Sequence, residues 1–220
     1  MKILVVADEE ESVLYENYQP RMMADVNLII ACGDLHAAYL DFLTSASNKP
    51  LYYVPGNHDQ SYVSRPPAGC ISLDEQVVSF HGLRIGGLGG SCRYKPGSFM
   101  YTEEEMAKRL KKLEKQVRRA GGIDVFVTHT PAAGYGDLED LAHRGFACFN
   151  TFMEEYHPRY LVHGHVHPSY DIHLQRQMVH PSGTVMLNCV GYVMLEIDDA
   201  SIQKEPPKEK SLLERLWKRS

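Results

Sequence analysis

Residue types that bind metal ions recur at five places in the sequence, each directly after a short apolar run. They are Asp8 with Glu10, Asp34, Asn57 with His58, His129, and His165 with His167. At any one of these places, such a residue is more typical of a turn, a helix cap or a satisfied core position, but five together favour a metal centre. Mixed nitrogen and oxygen ligands suit Mn, Fe, Zn, Co or Ni better than Mg or Ca. The pattern therefore predicts a divalent metal site assembled from distant parts of the chain.

The apolar runs before these residues predict strands of a parallel sheet. Residues 2–7, 28–32 and 51–54 are short and rich in apolar side chains, and residues 11–23 and 36–46 between them have the pattern of helices. Alternation of strand and helix indicates right-handed crossovers. Because ligands of open α/β folds bind outside the carboxyl ends of the strands, we expect the polar residues that follow the strands to meet there.

The second half of the chain predicts more strands and one long helix. The predicted elements are a hairpin over 77–80 and 83–88, a helix from Thr102 to the glycines at 121 and 122, strands over 123–127 and 160–162, and strands from 170 to 197. The spacing of the last group favours an antiparallel or mixed second sheet.

The composition is that of one soluble globular domain. The chain has 220 residues, of which 44% are hydrophobic and 23% charged, and a chain of this length buries about 70% of its unfolded surface. We assign residues 1–200 to one domain. Residues 201–220 are predicted to form a charged linker and a short amphipathic C-terminal helix that packs on the domain, makes a homodimer or binds a partner.

Charge and hydropathy exclude several classes of protein. The formal net charge is -5, whereas general nucleic-acid binding needs a basic excess. The longest apolar runs are far shorter than the ~20 residues of a transmembrane helix, and the first residues do not resemble a secretory signal. The five cysteines are scattered and odd in number. We therefore expect a cytoplasmic protein without a transmembrane segment.

The motifs resemble, in the same order, those of the calcineurin-like metallophosphoesterase superfamily. The matching segments are Asp8-Glu9-Glu10, Gly33-Asp34, Gly56-Asn57-His58-Asp59, Thr128-His129 and Gly164-His165-Val166-His167. The resemblance implies an α/β fold, a four-layer α/β/β/α sandwich of two mixed sheets flanked by helices, with two divalent ions at the strand ends. It also implies hydrolysis of a small-molecule or nucleotide phosphate ester by a metal-bound hydroxide.

The resemblance further implies a role for each residue of these motifs. One ion is expected to be held by Asp8, the residue at position 10, Asp34 and His167, and the other by Asp34, Asn57, His129 and His165, with Asp34 as the bridge. His58 is expected to hydrogen-bond a phosphate oxygen and to protonate the leaving alkoxide. Asp59 is expected either to orient His58 or to cap the segment that follows.

Position 10 departs from the superfamily, whose first motif is usually Asp-x-His. A third carboxylate, from Glu10, brings the centre with hydroxide bound close to neutrality, so its attraction for a phosphate dianion should fall and Mn or Fe should be favoured over Zn. A monoanionic diester would compensate, and so would a cationic side chain such as Arg93 in the glycine-rich loop 86–97. We favour the diester, and therefore a phosphodiesterase over a phosphomonoesterase.

Two alternatives stay open. If Glu10 faces away from the ion, the protein is a phosphatase with a single occupied metal site. If turnover has been lost, the protein is a non-catalytic interaction scaffold, an interpretation that Glu10 and the amphipathic tail favour and the intact Asn57-His58 pair opposes. His36 is interpreted as a residue behind the ligands, and His163 either as a further site residue or as a core histidine under the metals. The other histidines are interpreted as surface or structural residues: His81, His143, His157, His173 and His180.

Overall fold

The fold consists of two β-sheets with helices on their outer faces. The computed structural model describes residues 1–171, 173–198 and 202. The strands are β1 Lys2–Ala7, β2 Leu28–Ala31, β3 Leu51–Tyr53, β4 Ile71–Ser72, β5 Gln76–Phe80, β6 Leu83–Leu88, β7 Ser91–Cys92, β8 Met100–Tyr101, β9 Val125–Thr128, β10 Tyr160–His163, β11 Gln177–Val179, β12 Val185–Asn188 and β13 Gly191–Glu196. The helices are α1 Ala37–Ser47, α2 Glu103–Arg119 and α3 Ala147–Tyr156, with 3-10 turns at Ser12–Leu14, Pro20–Met23 and Gln60–Val63.

The first sheet brings the ends of three predicted site strands to one edge. Its order is β13-β1-β2-β3-β4, with β1 to β4 parallel and β13 antiparallel to β1. Side chains alternate between its two faces, as the pleat of a strand requires. In β1, Ile3 and Val5 belong to the core between the sheets, and Leu4 and Val6 belong to the outer core that includes α1. Both faces are covered, which explains the continuous apolar runs.

The second sheet presents the other predicted site strands. Its order is β11-β12-β10-β9-β6-β5, in which β12, β10, β9 and β6 are parallel and the two edge strands are antiparallel to their neighbours. Its outer face packs on α2 and α3 through residues such as Leu113, Phe126 and Phe152. Its inner face shares a core with the first sheet, in which Val125, Val127 and Val162 lie.

The layers confirm the predicted fold class, a four-layer α/β/β/α sandwich with two mixed sheets. The hairpin of β5 and β6 and the long helix α2 are confirmed as well. α2 begins with a capping box in which the side chain of Thr102 accepts from the backbone N–H of Glu105 and the side chain of Glu105 accepts from the backbone N–H of Thr102.

The predicted helix over residues 11–23 is wrong. The structure has two 3-10 turns there, Ser12–Leu14 and Pro20–Met23, with Pro20 at the start of the second. Proline cannot donate a backbone hydrogen bond and its ring collides with the preceding helical turn, so it can begin a helix but not continue one. The strands predicted from 170 to 197 are also divided, since β11 and β12 join the second sheet and β13 joins the first.

The predicted linker and C-terminal helix lie outside the described residues, apart from residue 202. Within the part of the chain that the structure describes, no helix is long and apolar enough to cross a membrane.

Candidate metal centre

The predicted ligands of the two sheets meet in one buried site. Asp8 follows β1, and its Oδ2 accepts a hydrogen bond from the backbone N–H of His165, which follows β10, at 2.9 Å. Asp34 follows β2, and its Oδ2 lies 3.3 Å from Nε2 of His129, which follows β9. Oδ1 of Asn57, after β3, lies 3.0 Å from the same nitrogen. Each carboxylate from the first sheet therefore touches a histidine from the second.

Three of these residues form a cluster with the composition of a metal site. Asp34, His129 and His165 each offer a ligand atom, and these atoms lie within 4.8 Å of one another. Nδ1 of His129 is 2.8 Å from the carbonyl oxygen of Cys32, and Nε2 of His165 is 2.7 Å from that of Ala142. Metal-binding histidines usually donate their other ring N–H to such an oxygen, which fixes the ring. Nε2 of His129, which faces Asp34 and Asn57, would hold an ion in place of a proton, and the donor set fits a divalent metal.

The backbone at the site is held in unusual conformations. Asp8, Asp34 and His165 have φ values of 61°, 56° and 71°, in the left-handed region that costs energy for residues other than glycine. A side chain at Gly56 would collide with the carboxylate of Asp34, and one at Gly164 with the carboxylate of Asp8. The glycines of the motifs are therefore required because the carboxylates lie directly against their backbone.

The charges of the site compensate one another. Burial raises the pKa of Asp8 to about 6. Burial opposes protonation of His129, but the carboxylates of Asp34 and Asp8 outweigh burial and raise the pKa of His129. Burial likewise opposes ionisation of Asp34, but His129 outweighs burial and lowers the pKa of Asp34. Burial lowers the pKa of His165 to about 3, so its ring is neutral and able to bind a metal. A metal ion would replace the proton of His129, so metal affinity should rise with pH.

The two glutamates after Asp8 point in different directions. Oε1 of Glu10 accepts from the backbone N–H of His36 at 3.1 Å and lies 2.7 Å from its Nδ1, at the start of α1. Oε1 of Glu9 lies 3.1 Å from Nδ1 of His167, whose Nε2 is 3.8 Å from Oδ1 of Asp8. The structure thus brings His167 to the site together with Glu9, whereas it directs Glu10 to His36. Glu9 was absent from the predicted ligands.

His58 is attached to the site through its backbone. Its N–H donates to Oδ1 of Asp34 at 2.7 Å, and its side chain is exposed. Asp59, by contrast, is only 4% exposed, and its Oδ2 accepts from the backbone N–H groups of Asp34 at 2.8 Å and Gly56 at 2.7 Å. Burial raises the pKa of Asp59 to about 7. The carboxyl of Asp59 therefore ties the loop after β2 to the loop after β3.

Arg93 is bound to α2. Its Nη2 lies 2.6 Å from Oε2 of Glu105 and donates to the carbonyl oxygen of Met100 at 3.2 Å. About 42% of its side chain is exposed. The charge of Arg93 is thus partnered at the start of α2.

Two aromatic residues beside the histidines were not predicted as site residues. The ring of His143 lies 5.4 Å from that of His165, and the ring of Tyr170 lies 4.8 Å from that of His143 and 5.1 Å from that of His167. Burial raises the pKa of the Tyr170 hydroxyl, and the carboxylates of Asp8 and other nearby residues add to this rise. His143 and Tyr170 stand in loops without a metal-binding motif, so only the close spacing of Tyr170 and His167 could have indicated one of them.

Solved structures with low sequence identity have the same architecture. The structure of TT1561 of Thermus thermophilus superposes with a TM-score of 0.60 at 15% identity, covering 88% of this chain and 93% of that one. A second solved structure gives a TM-score of 0.63 at 16% identity over 88% of this chain and 94% of that one. At these identities the likeness shows the fold.

Sequence comparison identifies one curated relative and the family. UPF0046 protein T07D4.2 of Caenorhabditis elegans is 28% identical over 106 residues, which are 47% of this chain and 25% of that protein. The chain thus matches about a quarter of the length of this relative. The family described as the calcineurin-like phosphoesterase superfamily domain matches residues 1–199. With its two-sheet fold, its ordered motifs and this match over nearly its whole length, the chain belongs to the calcineurin-like phosphoesterase superfamily.

Proposed function

We propose that the protein hydrolyses phosphate esters with the help of divalent metal ions. One observation carries the proposal: Asp34, His129 and His165, from loops of both sheets, converge within 4.8 Å. Both imidazoles are fixed by backbone carbonyl oxygens, His129 through its Nδ1 and His165 through its Nε2. A purely structural cluster has no need for this arrangement, whereas metal ligands do.

The residues present would hold two ions. Asp34, Asn57, His129 and His165 would bind one of them. Asp8, Asp34 and His167 would bind the other, with a carboxylate from Glu10 or Glu9. When bound, such ions supply Lewis acidity and lower the pKa of a water molecule that can attack phosphorus.

His58 would donate the proton that the leaving group needs. Its backbone N–H bonds Asp34 at 2.7 Å, which keeps the backbone of His58 next to the cluster, and its side chain is exposed. An imidazole in this place can hydrogen-bond a phosphate oxygen and then protonate the leaving alkoxide. Asp59 supports this role indirectly, because it fixes the loops of Asp34 and Asn57 to each other.

The charge of the site supports a monoanionic diester as the substrate. Asp8, Asp34 and Glu9 place carboxylates around His167 and His129, which weakens attraction for a dianion. Arg93, the cationic side chain that could have compensated for these carboxylates, forms an ion pair with Glu105. A phosphodiester, with its lower charge, therefore suits the site better than a monoester, and hard ligands of this kind favour Mn or Fe.

A phosphatase with a single metal is the second candidate, because Glu10 bonds His36. In that case the ion would lie among Asp34, Asn57, His129 and His165. A metal content near one ion per chain, together with unchanged kinetics of Glu10→Ala, would support it. A non-catalytic scaffold, the third hypothesis, would show no turnover in metal-loaded, folded protein.

The test is hydrolysis of an aryl phosphate monoester and the matching aryl diester by Mn-reconstituted protein. His58→Asn keeps a hydrogen-bond donor but cannot protonate the leaving group, so kcat should fall about 100-fold or more. His157→Asn is the matched control, since His157 is an exposed histidine at the end of α3 with a φ of 46° that asparagine tolerates. Equal activity of the two variants would contradict the role of His58, and absence of turnover in the wild type would contradict the proposed function.

A further inference from the structure

A series of aromatic rings leads from the buried centre to the surface. The ring of His129 lies 4.8 Å from that of His165, His165 lies 5.4 Å from His143, and His143 lies 4.8 Å from Tyr170. Exposure increases along the series: the side chain of His129 is fully buried, that of His143 is 26% exposed, and Tyr170 is 53% exposed. This aromatic series thus begins at a predicted ligand and ends in solvent.

The outer rings are held in place by their own loops. Oδ1 of Asp140 accepts from the backbone N–H of His143 at 3.2 Å, and Oδ2 lies 2.9 Å from its Nδ1. The carbonyl oxygen of Ala142 is the one that lies against His165. The backbone N–H of Tyr170 donates to the carbonyl oxygen of His167 at 3.0 Å, in a tight turn. Because both loops are bonded to predicted ligands, the rings keep a fixed position relative to the centre.

The outer end of the aromatic series can accept one more ring. Aromatic rings attract one another when their centroids are about 4.5–7 Å apart, in offset or edge-to-face arrangements. All centroid distances in the series lie in this range, with an edge-to-face contact of His129 and His165 and tilted contacts at the outer end. Tyr170 is among the few large hydrophobic side chains of the described residues that are more than half exposed. An exposed aromatic ring fixed beside a reaction centre is well suited to stacking against a ring of the substrate.

We propose that Tyr170 and His143 form a stacking site for an aromatic ring on the substrate, so that the alcohol part of the ester is an aryl group or a nucleoside. This inference rests on the proposed phosphoester hydrolysis and names its substrate class. The phosphate would lie at the cluster of Asp34, His129 and His165, and the ring would lie against Tyr170. Tyr170 is thus a residue that determines specificity and has no part in bond cleavage.

The first test compares phenyl methyl phosphate with hexafluoroisopropyl methyl phosphate, an aryl and an alkyl diester with leaving groups of similar acidity. Tyr170→Ala should lower the ratio of the two kcat/KM values about tenfold, the effect of one lost ring contact. Tyr170→Phe should keep the ratio, since it keeps the ring. Tyr192→Ala is the matched control, because Tyr192 is a tyrosine of β13 that is 38% exposed and outside the aromatic series. An unchanged ratio in Tyr170→Ala would overturn the proposal.

The second test does not depend on turnover. Calorimetry with Mn-loaded protein compares phenylphosphonate with methylphosphonate, which carry the same charged group and cannot be hydrolysed at an ester bond. The wild type should bind phenylphosphonate about tenfold more tightly, and Tyr170→Ala should lose this difference. Equal affinities in the wild type would overturn the stacking site even if both diesters are hydrolysed. Preferential binding of phenylphosphonate without turnover of either diester would instead refute the hydrolase and support the stacking site.

Discussion

Asp59 offers the sharpest test of how the two site loops are held together. Its carboxyl is 4% exposed and accepts two backbone hydrogen bonds, from Asp34 at 2.8 Å and from Gly56 at 2.7 Å. Asp59→Ala would leave both N–H groups without this acceptor, at about 1–3 kcal/mol for each buried donor. A water molecule that enters the space would recover part of this loss. We expect the free energy of unfolding to fall by about 2–4 kcal/mol.

Asp59→Asn is the matched control, because an amide oxygen can accept the same two bonds. Its free energy of unfolding should change by less than about 1 kcal/mol. In a domain of this size, about 1 kcal/mol corresponds to about 2–4 °C in Tm. The alanine variant should therefore melt about 4–16 °C below the wild type, whereas the asparagine variant should melt within a few degrees of it.

The assay is calorimetric melting after treatment with EDTA, followed by titration with Mn. Since Asp59 fixes the backbone of Asp34 and the loop of Asn57, its loss to alanine should also weaken metal binding about 10- to 100-fold. Equal damage by asparagine and alanine would refute the reasoning, because it would show that the charge of Asp59 matters and its hydrogen bonds do not. An Asp59→Ala variant with the melting temperature and metal affinity of the wild type would refute the reasoning as well.

Three further predictions concern charges. Arg109→Met should lower the free energy of unfolding by about 3–5 kcal/mol in urea titrations, because Arg109, only 9% exposed in its side chain, pairs with Asp74 and Glu75. Lys112→Met, which removes a 63% exposed partner of Glu75, should cost less than about 1 kcal/mol, and equal costs would contradict this account. Burial opposes ionisation of Asp124, but Arg84 outweighs it and lowers the pKa of Asp124, so their pair should stabilise the fold above about pH 4 and stop doing so as the pH falls through that lowered pKa. Melting of Asp124→Asn against pH should therefore show a loss relative to the wild type at neutral pH that shrinks in acid, and a constant loss would argue against it. Glu9→Gln, which removes the carboxylate that lies against His167, should raise Zn-supported turnover relative to Mn-supported turnover, and an unchanged metal preference in steady-state assays would refute the charge argument.

Much of the architecture could be predicted because its causes are local. The buried strands are continuous apolar runs, and the polar residues after them meet because parallel strands end at the same edge. The structure of segment 11–23 was harder to predict, since the spacing of its apolar residues is typical of a helix while Pro20 begins a new turn. Pairing of β13 with β1 joins the two ends of the described chain, and no local pattern indicates that choice.

The residue types of the site could be predicted more easily than the directions of their side chains. Asp34, His129 and His165 converge as expected. The directions of the side chains after Asp8 depend on the left-handed backbone of Asp8, which has a φ of 61°. This backbone turns Glu9 toward His167 and Glu10 toward α1. Counting along the sequence assumes regular alternation and misses this turn. The aromatic series was missed because ring contacts between separate loops leave no spacing in the sequence.

The position of β13 has a consequence for the assembly of the first sheet. β13 follows all the other described strands in the chain, so one edge of β1 stays unpaired until Gly191–Glu196 has docked. Until then, Ile3 to Ala7 would expose open backbone hydrogen-bonding groups on a strongly apolar strand, which is the type of edge that pairs with other chains. Partial unfolding that detaches β13 should therefore promote aggregation through β1.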